Sequence, residues 1–594
     1  MARQYRQVVF WYVPSPMNGL TRRWRLRRPG EQDAASVPLF TRLLLARGLD
    51  DDESVRRFCN PLLTDLHDPD LLPGIGDAVK RIASAVRNGE SIVIYGDYDV
   101  DGIAASAILY HVIKAVAPGT AIRVYVPHRL EEGYGLNTEA LLRLRSEGAD
   151  LAISVDCGVT AHEPARAARE AGLDLIITDH HNTPAAGEPL PPAVAIVHPR
   201  LPGSVYPFGE LCGAGVAFKL AWAFAVHFCG SKRVGKSIQQ VLLDMLPLAA
   251  LATITDVVPL VDENRTIVSF GLRWIRDTKI IGLRALIEAA DLMDADIDSH
   301  KVGFVLGPRL NACGRMGHAD EAVRLLTDAG PDDARRIADR LTALNRERQQ
   351  IERRITEQAT RMAEDACMTG DDCRVIVLAH ESWHAGVVGI ACSRLVDRFS
   401  RPVVLMHRQD GVCKGSARSI EGYSIHDALK ENSSYLTSFG GHDAAAGLTL
   451  GAENLDAFTA ALTRHANTHI DVEQLTPGLW IDCEAEIGEL EFEAVNRIAS
   501  LSPFGRDNPR PAVCIRGATL AESPKQIGAN GKHLTLSLRG DGRRWLRLVW
   551  FGAGSHAADL AKGMRVDAVI EPKINHFNGR TTVEGIVSDV RVLS

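Results

Sequence analysis

Cysteine pairs, long apolar runs and an excess of positive charge are all missing from this 594-residue chain. Its eleven cysteines form no CxxC pair and no regular framework, a spacing that suits a reducing cytoplasm. No run of about eighteen apolar residues stands out, so no membrane-spanning helix is expected. The N-terminus has a basic start and a short apolar VVFWYV, but Pro14 and Pro16 cut it off before a signal-peptide core can form. It reads as a loose extension, with Met17 as an alternative start. The net charge of −7 excludes a uniformly basic coat, so a polyanion would have to be met by local Arg and Lys clusters. There is no low-complexity tract, and 46% apolar with 24% charged residues is the composition of a globular protein. At roughly 150 residues per domain the length suggests three to five domains.

What is present is acid in an unusual place. Residues 91–102 read SIVIYGDYDVDG: four β-prone residues lead through Gly96 into Asp97, Asp99 and Asp101. Three carboxylates that close repel one another at neutral pH unless a cation sits among them. From here short β-branched runs (92–95, 122–126, 151–155, 175–178, 194–197) alternate with helical stretches, which predicts a parallel sheet with crossover helices. Ligands of such sheets gather at the strands' carboxyl ends. The first strand ends at the three aspartates, the third at Asp156 in ISVDCG and the fourth at Asp179-His180-His181, while Asp256 follows the apolar run 241–252. Carboxylates with imidazole are the donor set of Mn²⁺ or Mg²⁺. Asp99, Asp101, Asp156, His180 and Asp256 suffice for two ions sharing one bridging acid, the arrangement that hydrolyses phosphoesters. Asp156 taken alone would pass as a helix N-cap; the ensemble would not.

Residues 332–366 carry an apolar stripe (Ile337, Leu341, Leu344, Ile351, Ile355, Met362) that predicts a charged connecting helix. Beyond it, strands near 374–378 and 402–406 suggest a second α/β lobe with GSARS, containing Ser416 and Arg418, and FGGH, containing Gly441 and His442. Read alone, each is a tight turn with one polar residue; Arg418 could grip a phosphate with two hydrogen bonds. Arg315, in NACGRMG, could bind phosphate or pair with a buried acid. TRRWRLRR at 21–28 reads either as a solvated basic arm or as phosphate grips around a stacking Trp24. Short alternating runs after 478 suggest a small β-barrel of the OB type.

DYDVDG, VDCG, TDHH and TDVVPL, in this order, resemble the DHH phosphoesterase family, and GPRLNACGRMG, WHAGVVGI, GSARS and FGGHDAAAGL are similar to its RecJ branch. The resemblance implies an α/β multidomain chain: an N-terminal extension and helical preface (1–75), a DHH domain with a parallel sheet (76–270), a helical connector (271–366), a DHH-associated domain (367–474) and an OB-fold (475–594). It implies removal of mononucleotides from the 5′ end of single-stranded DNA with two Mn²⁺ or Mg²⁺ ions, in DNA repair and recombination, by a cytoplasmic monomer that a helicase and a single-strand-binding protein could assist, with no membrane. By position, Asp97, Asp99, Asp101, Asp156, His180 and Asp256 become metal ligands with Asp156 the bridge, and His181 faces the substrate phosphate. Arg315, Ser416, Arg418, Gly441 and His442 become substrate contacts. The chain departs from the family pattern at His198 (asparagine expected), Ala252 and Asp507 (glycines expected). The alternatives are a DHH phosphodiesterase for short oligonucleotides and a non-catalytic DHH-fold scaffold.

Overall fold

Five strands, β1 (Ile92–Tyr95), β2 (Ile122–Tyr125), β3 (Leu151–Val155), β4 (Asp174–Thr178) and β5 (Ala195–Val197), form an all-parallel sheet in the order β2-β1-β3-β4-β5. β1 and β3 are buried at every position, which is why they read as continuous apolar runs and not as alternating ones. Ile92 pairs with Ile122 on one side and Leu151 on the other. The direction of the strand order therefore reverses between β1 and β3, and in such sheets that switch point opens a crevice at the carboxyl ends. Helices α1 (Val100–Val116), α2 (Gly213–Phe228) and α3 (Leu246–Thr255) pack together beside the sheet. Their residues are buried almost all round.

This is a computed structural model that describes residues 17–27, 37–128, 132–185, 187–231, 233–540, 544–577 and 579–593. The extension expected before Met17 lies outside the described residues. Asn60–Ile351 with Pro503–Pro509 make one compact unit, and the remaining described residues make a second. The predicted connecting helix is α4 (Pro331–Asp365), 35 residues long, with Ile337, Leu341 and Ile355 buried. It begins in the first unit and ends in the second.

Among the described residues the stretch Lys236–Thr255 is long and apolar enough to cross a membrane by length and composition alone, with 56% of its apolar window buried. It is two helices meeting at Met245, Lys236–Asp244 and α3, and α3 is a core helix of the first unit.

In the second unit, β6 (Ile376–His380), β7 (Val403–Gln409), β8 (Val412–Arg418), β9 (Ser438–His442) and β10 (Ala445–Gly451) form a sheet in the order β9-β10-β8-β7-β6, with only β6 and β7 parallel. Helix α5 (Val388–Phe399) packs on β7 and β8. The C-terminal strands β11 (Val513–Leu520), β12 (His533–Arg539), β13 (Trp545–Trp550), β14 (Arg565–Phe577) and β15 (Arg580–Val592) run β11-β14-β15-β13-β12. β12 pairs back onto β11 at Leu520↔Leu538, which closes a five-stranded barrel.

The basic segment near Trp24 is neither a solvated arm nor a stacking platform. Arg23–Leu26 is a strand paired in parallel with Gly478–Ile481, and Trp24 is 2% exposed with its indole N–H donating to Asp589 at 2.8 Å. A ring held in a core cannot stack on a base.

Candidate metal centre

The acidic loop is shaped by the helix it starts. Asp99 is the N-cap of α1, its Oδ1 accepting from the Asp101 and Gly102 N–H groups at 2.8 and 3.2 Å. Asp101 turns inward, where its two oxygens accept from the Gly213 and Ala214 N–H groups at 2.6 and 2.7 Å. The start of α2 thus offers its free donors to a buried carboxylate. Among the described residues Asp156 caps no helix: it follows β3 at a φ of 63°, a left-handed conformation uncommon outside glycine and a form of strain found at functional sites. It needs bare space beside it, because a Cβ at Gly213 would fall 2.6 Å from the Asp156 carboxylate.

The structure brings together Asp97, Asp99, Asp101, Asp156, His180, His181 and Asp256, the seven acid and imidazole residues predicted for the site. Donor atoms of Asp97, Asp99 and Asp156 lie within 4.8 Å of one another, as do those of Asp101, His180 and Asp256, and those of Asp156, His180 and His181. His180 Nε2 stands 3.2 Å from Asp156, 3.6 Å from Asp256 and 3.7 Å from Asp101. Burial and the Asp101 charge push the Asp156 carboxyl well above the usual carboxylate range. Burial with the charges of Asp101 and Asp99 lifts Asp256 to about 9. Burial also raises Asp101 and lowers His180 to about 4.

These groups fit a divalent cation. Asp156 Oδ1 and His180 Nε2 are buried, face each other and make no hydrogen bond among the described residues. Carboxyls driven toward protonation and an imidazole kept neutral form a site whose strain a bound cation relieves. All-oxygen and imidazole donors suit Mn²⁺ or Mg²⁺.

Other residues that sequence reasoning did not single out hold the cluster in place. Asp179 is buried and accepts from the Val159, His180 and His181 N–H groups and from His181 Nδ1 at 2.8 Å. Burial alone would push Asp179 up, but the His181 hydrogen bond and charge hold it below the usual range. Burial would likewise lower His181, but Asp179 lifts it to about 9, leaving it cationic at neutral pH. The Tyr134 hydroxyl lies 3.2 Å from the same ring and 3.3 Å from the Asp156 carbonyl. Arg200 donates to the His180 carbonyl. Asn311 accepts from the Val100 N–H at 3.0 Å, and Gly314 lets its helix approach so closely that a Cβ would meet the Tyr98 carbonyl at 2.6 Å. The NACGRMG segment therefore buttresses the acidic loop, and Arg315, half-buried on the same helix (Gly307–Met316), lies in this unit.

Replacing Asp179 with asparagine is expected to drop the His181 pKa from about 9 toward the ordinary ~6.5. A ring-proton NMR titration of the metal-free protein measures it; an unmoved midpoint would mean that Asp179 does not set the charge.

The remaining candidates assemble in the second unit. Arg418 on β8 and His442 on β9 are opposite Ala445 from its two sides. Gly389 of α5 approaches Ser416 and Arg418 so closely that a Cβ there would lie 3.1 Å from Ser416 Oγ. Gly441 has a φ of 140°, and a Cβ there would strike the Ala445 carbonyl at 2.4 Å.

Comparison with known proteins agrees along the chain. The DHH family, N-terminal domain, matches residues 91–253, the DHHA1 domain 372–468 and the RecJ OB domain 481–589. The single-stranded-DNA-specific exonuclease RecJ of Bacillus subtilis is 38% identical, over 96% of this chain and 71% of its own. The protein of that name from Dickeya dadantii is 35% identical, over 93% of this chain and 96% of its own. The chain belongs to the RecJ family.

A crystal structure of RecJ in complex with Mn²⁺ from Thermus thermophilus superposes with a TM-score of 0.77 at 30% identity, covering 93% of this chain and 75% of that one. The departures from the RecJ pattern are accommodated locally. His198 is buried, its Nε2 2.8 Å from the His181 carbonyl and its Nδ1 accepting from Arg200 N–H, so it braces the Asp-His-His turn. Asp507 takes a φ of 58°, where aspartate is among the better substitutes for glycine. Ala252 adds one buried methyl to α3.

Proposed function

We propose that this RecJ-family chain is a metal-dependent exonuclease of single-stranded DNA, with Asp97, Asp99, Asp101, Asp156, His180 and Asp256 as the ligands of two Mn²⁺ or Mg²⁺ ions. The observation that carries the reading is the convergence of these side chains, from four separate chain segments, on the switch point of the parallel sheet. When bound, the ions would supply Lewis acidity, lowering the pKa of water so that hydroxide is available near neutral pH and neutralising charge on the phosphate.

The chain's own groups do the rest. Asp156, shared by two of the donor groups, is the proposed bridge. His181, its Nδ1 held by Asp179, faces a phosphoryl oxygen, with Tyr134 fixing the ring's orientation. In the DHH-associated domain, Ser416, Arg418, Gly441 and His442 hold the terminal phosphate, Arg418 through a two-pronged contact. Arg315 makes a further phosphate contact. The barrel holds the strand downstream.

On this reading the division into domains at 75, 270, 366 and 474, the 5′ polarity, the mononucleotide product and the role in repair and recombination follow the family. So do a cytoplasmic monomer and assistance by a helicase and a single-strand-binding protein. A timed digest of strands labelled at either end tests it: with Mn²⁺, label at the 5′ end is released first, and a chelator stops release. Release from the 3′ end would refute the polarity, cleavage confined to dinucleotides would favour the short-oligonucleotide phosphodiesterase, and no cleavage would favour the scaffold.

A further inference from the structure

The loop Pro503–Pro509 follows the DHH-associated domain in sequence yet belongs to the first unit, where it is fixed through its main chain. The Leu260 N–H donates to the Arg506 carbonyl at 2.9 Å, and the Ser299 hydroxyl donates to the Phe504 carbonyl at 2.5 Å. Arg265 and Asn508 donate to the Pro503 carbonyl at 3.3 and 2.8 Å. At Gly505 a Cβ would fall 2.6 Å from Leu260, so backbone and side chain touch directly. None of these contacts uses the Arg506 side chain.

That side chain instead reaches the metal rim. Arg506 is exposed, and one guanidinium nitrogen donates to the carbonyl of Val257, the residue after Asp256, at 3.3 Å. Arginine has five N–H donors, and this contact occupies one edge of the fork. The charge is felt at the ligand, since Arg506 is among the groups that favour an ionised Asp256. A cation beside a metal ligand opposes the binding of a second cation, so charge compensation of the cluster is a poor reason to keep it there. An exposed, half-used guanidinium beside that ligand has the right geometry for a phosphodiester oxygen.

We propose that Arg506 is an additional phosphate-binding residue, gripping the substrate backbone beside Asp256. This rests on the nuclease reading of the acidic cluster. The test uses the full chain with Arg506→Met and Arg506→Lys, measuring Mn²⁺ binding, affinity for an oligothymidylate across salt concentrations, and the thermal midpoint. With Arg506→Met, strand affinity should fall about tenfold, the slope of log affinity against log salt should shrink by ~0.7, the share of one phosphate contact on a single strand, and Mn²⁺ should bind at least as tightly as before. Arg506→Lys should keep the slope. Unchanged strand affinity and slope in a variant that still binds Mn²⁺ would overturn the Arg506 assignment alone. Loss of strand and Mn²⁺ binding together with a lowered thermal midpoint would also overturn it, by showing a structural role. A wild-type chain that binds no Mn²⁺ would overturn both readings.

Discussion

Asparagine at Asp156 is expected to slow hydrolysis of single-stranded DNA at least ~10³-fold, about 4 kcal/mol of barrier, while leaving strand affinity within a few-fold of wild type. Asparagine keeps the size of the side chain and is among the residues that best tolerate the left-handed backbone at this position. What it removes is one anionic oxygen at the junction of two donor groups. The phosphate contacts proposed in the DHH-associated domain and the barrel do not depend on that oxygen. Single-turnover cleavage together with equilibrium binding separates the two effects. Turnover near the wild-type rate would mean that Asp156 bridges nothing.

The second large effect is on stability. In the metal-free protein the folded-state pKa of Asp101 and Asp156 is raised and that of Asp256 is about 9, so between the ordinary carboxylate pKa and those values the folded state binds more protons than the unfolded chain. Such groups contribute stability at low pH and lose it as pH rises through the folded pKa. His181, raised to about 9, has the same sign. His180, lowered to about 4, works in the opposite direction, but only below its ordinary value of ~6.5. The thermal midpoint in EDTA should therefore fall by several degrees from about pH 6.5 to about pH 9. Mn²⁺, by replacing the protons, should flatten that slope and stabilise most at high pH. A midpoint in EDTA that holds steady or climbs over this range would contradict the electrostatics of the cluster.

The parallel sheet was legible because its strands are short β-branched runs ending in acids at the positions where such sheets bind ligands. The strands found at 92–95 and 151–155 coincide with those read. The acidic cluster was legible for the same reason: like charges at that density need a cation among them to stay together. The helix spanning 331–365 announced itself by its stripe. What stayed hidden depends on three-dimensional reach. Asp179 looked like part of a motif, and its work is to fix the charge of its neighbour two residues on. Asn311 and Gly314 act on a loop some two hundred residues earlier, a pairing that no local pattern encodes. Trp24 sits among arginines, a context that reads as surface, yet its strand is paired with Gly478–Ile481. The return of Pro503–Pro509 to the first unit is likewise invisible in composition.

Counting bound Mn²⁺ by electron paramagnetic resonance, in the wild-type chain and in Asp156→Asn, addresses the core of the account directly. The expected result is two ions per wild-type chain at saturation and the loss of at least one in the variant. Equal occupancy in both proteins, or none in either, would contradict it.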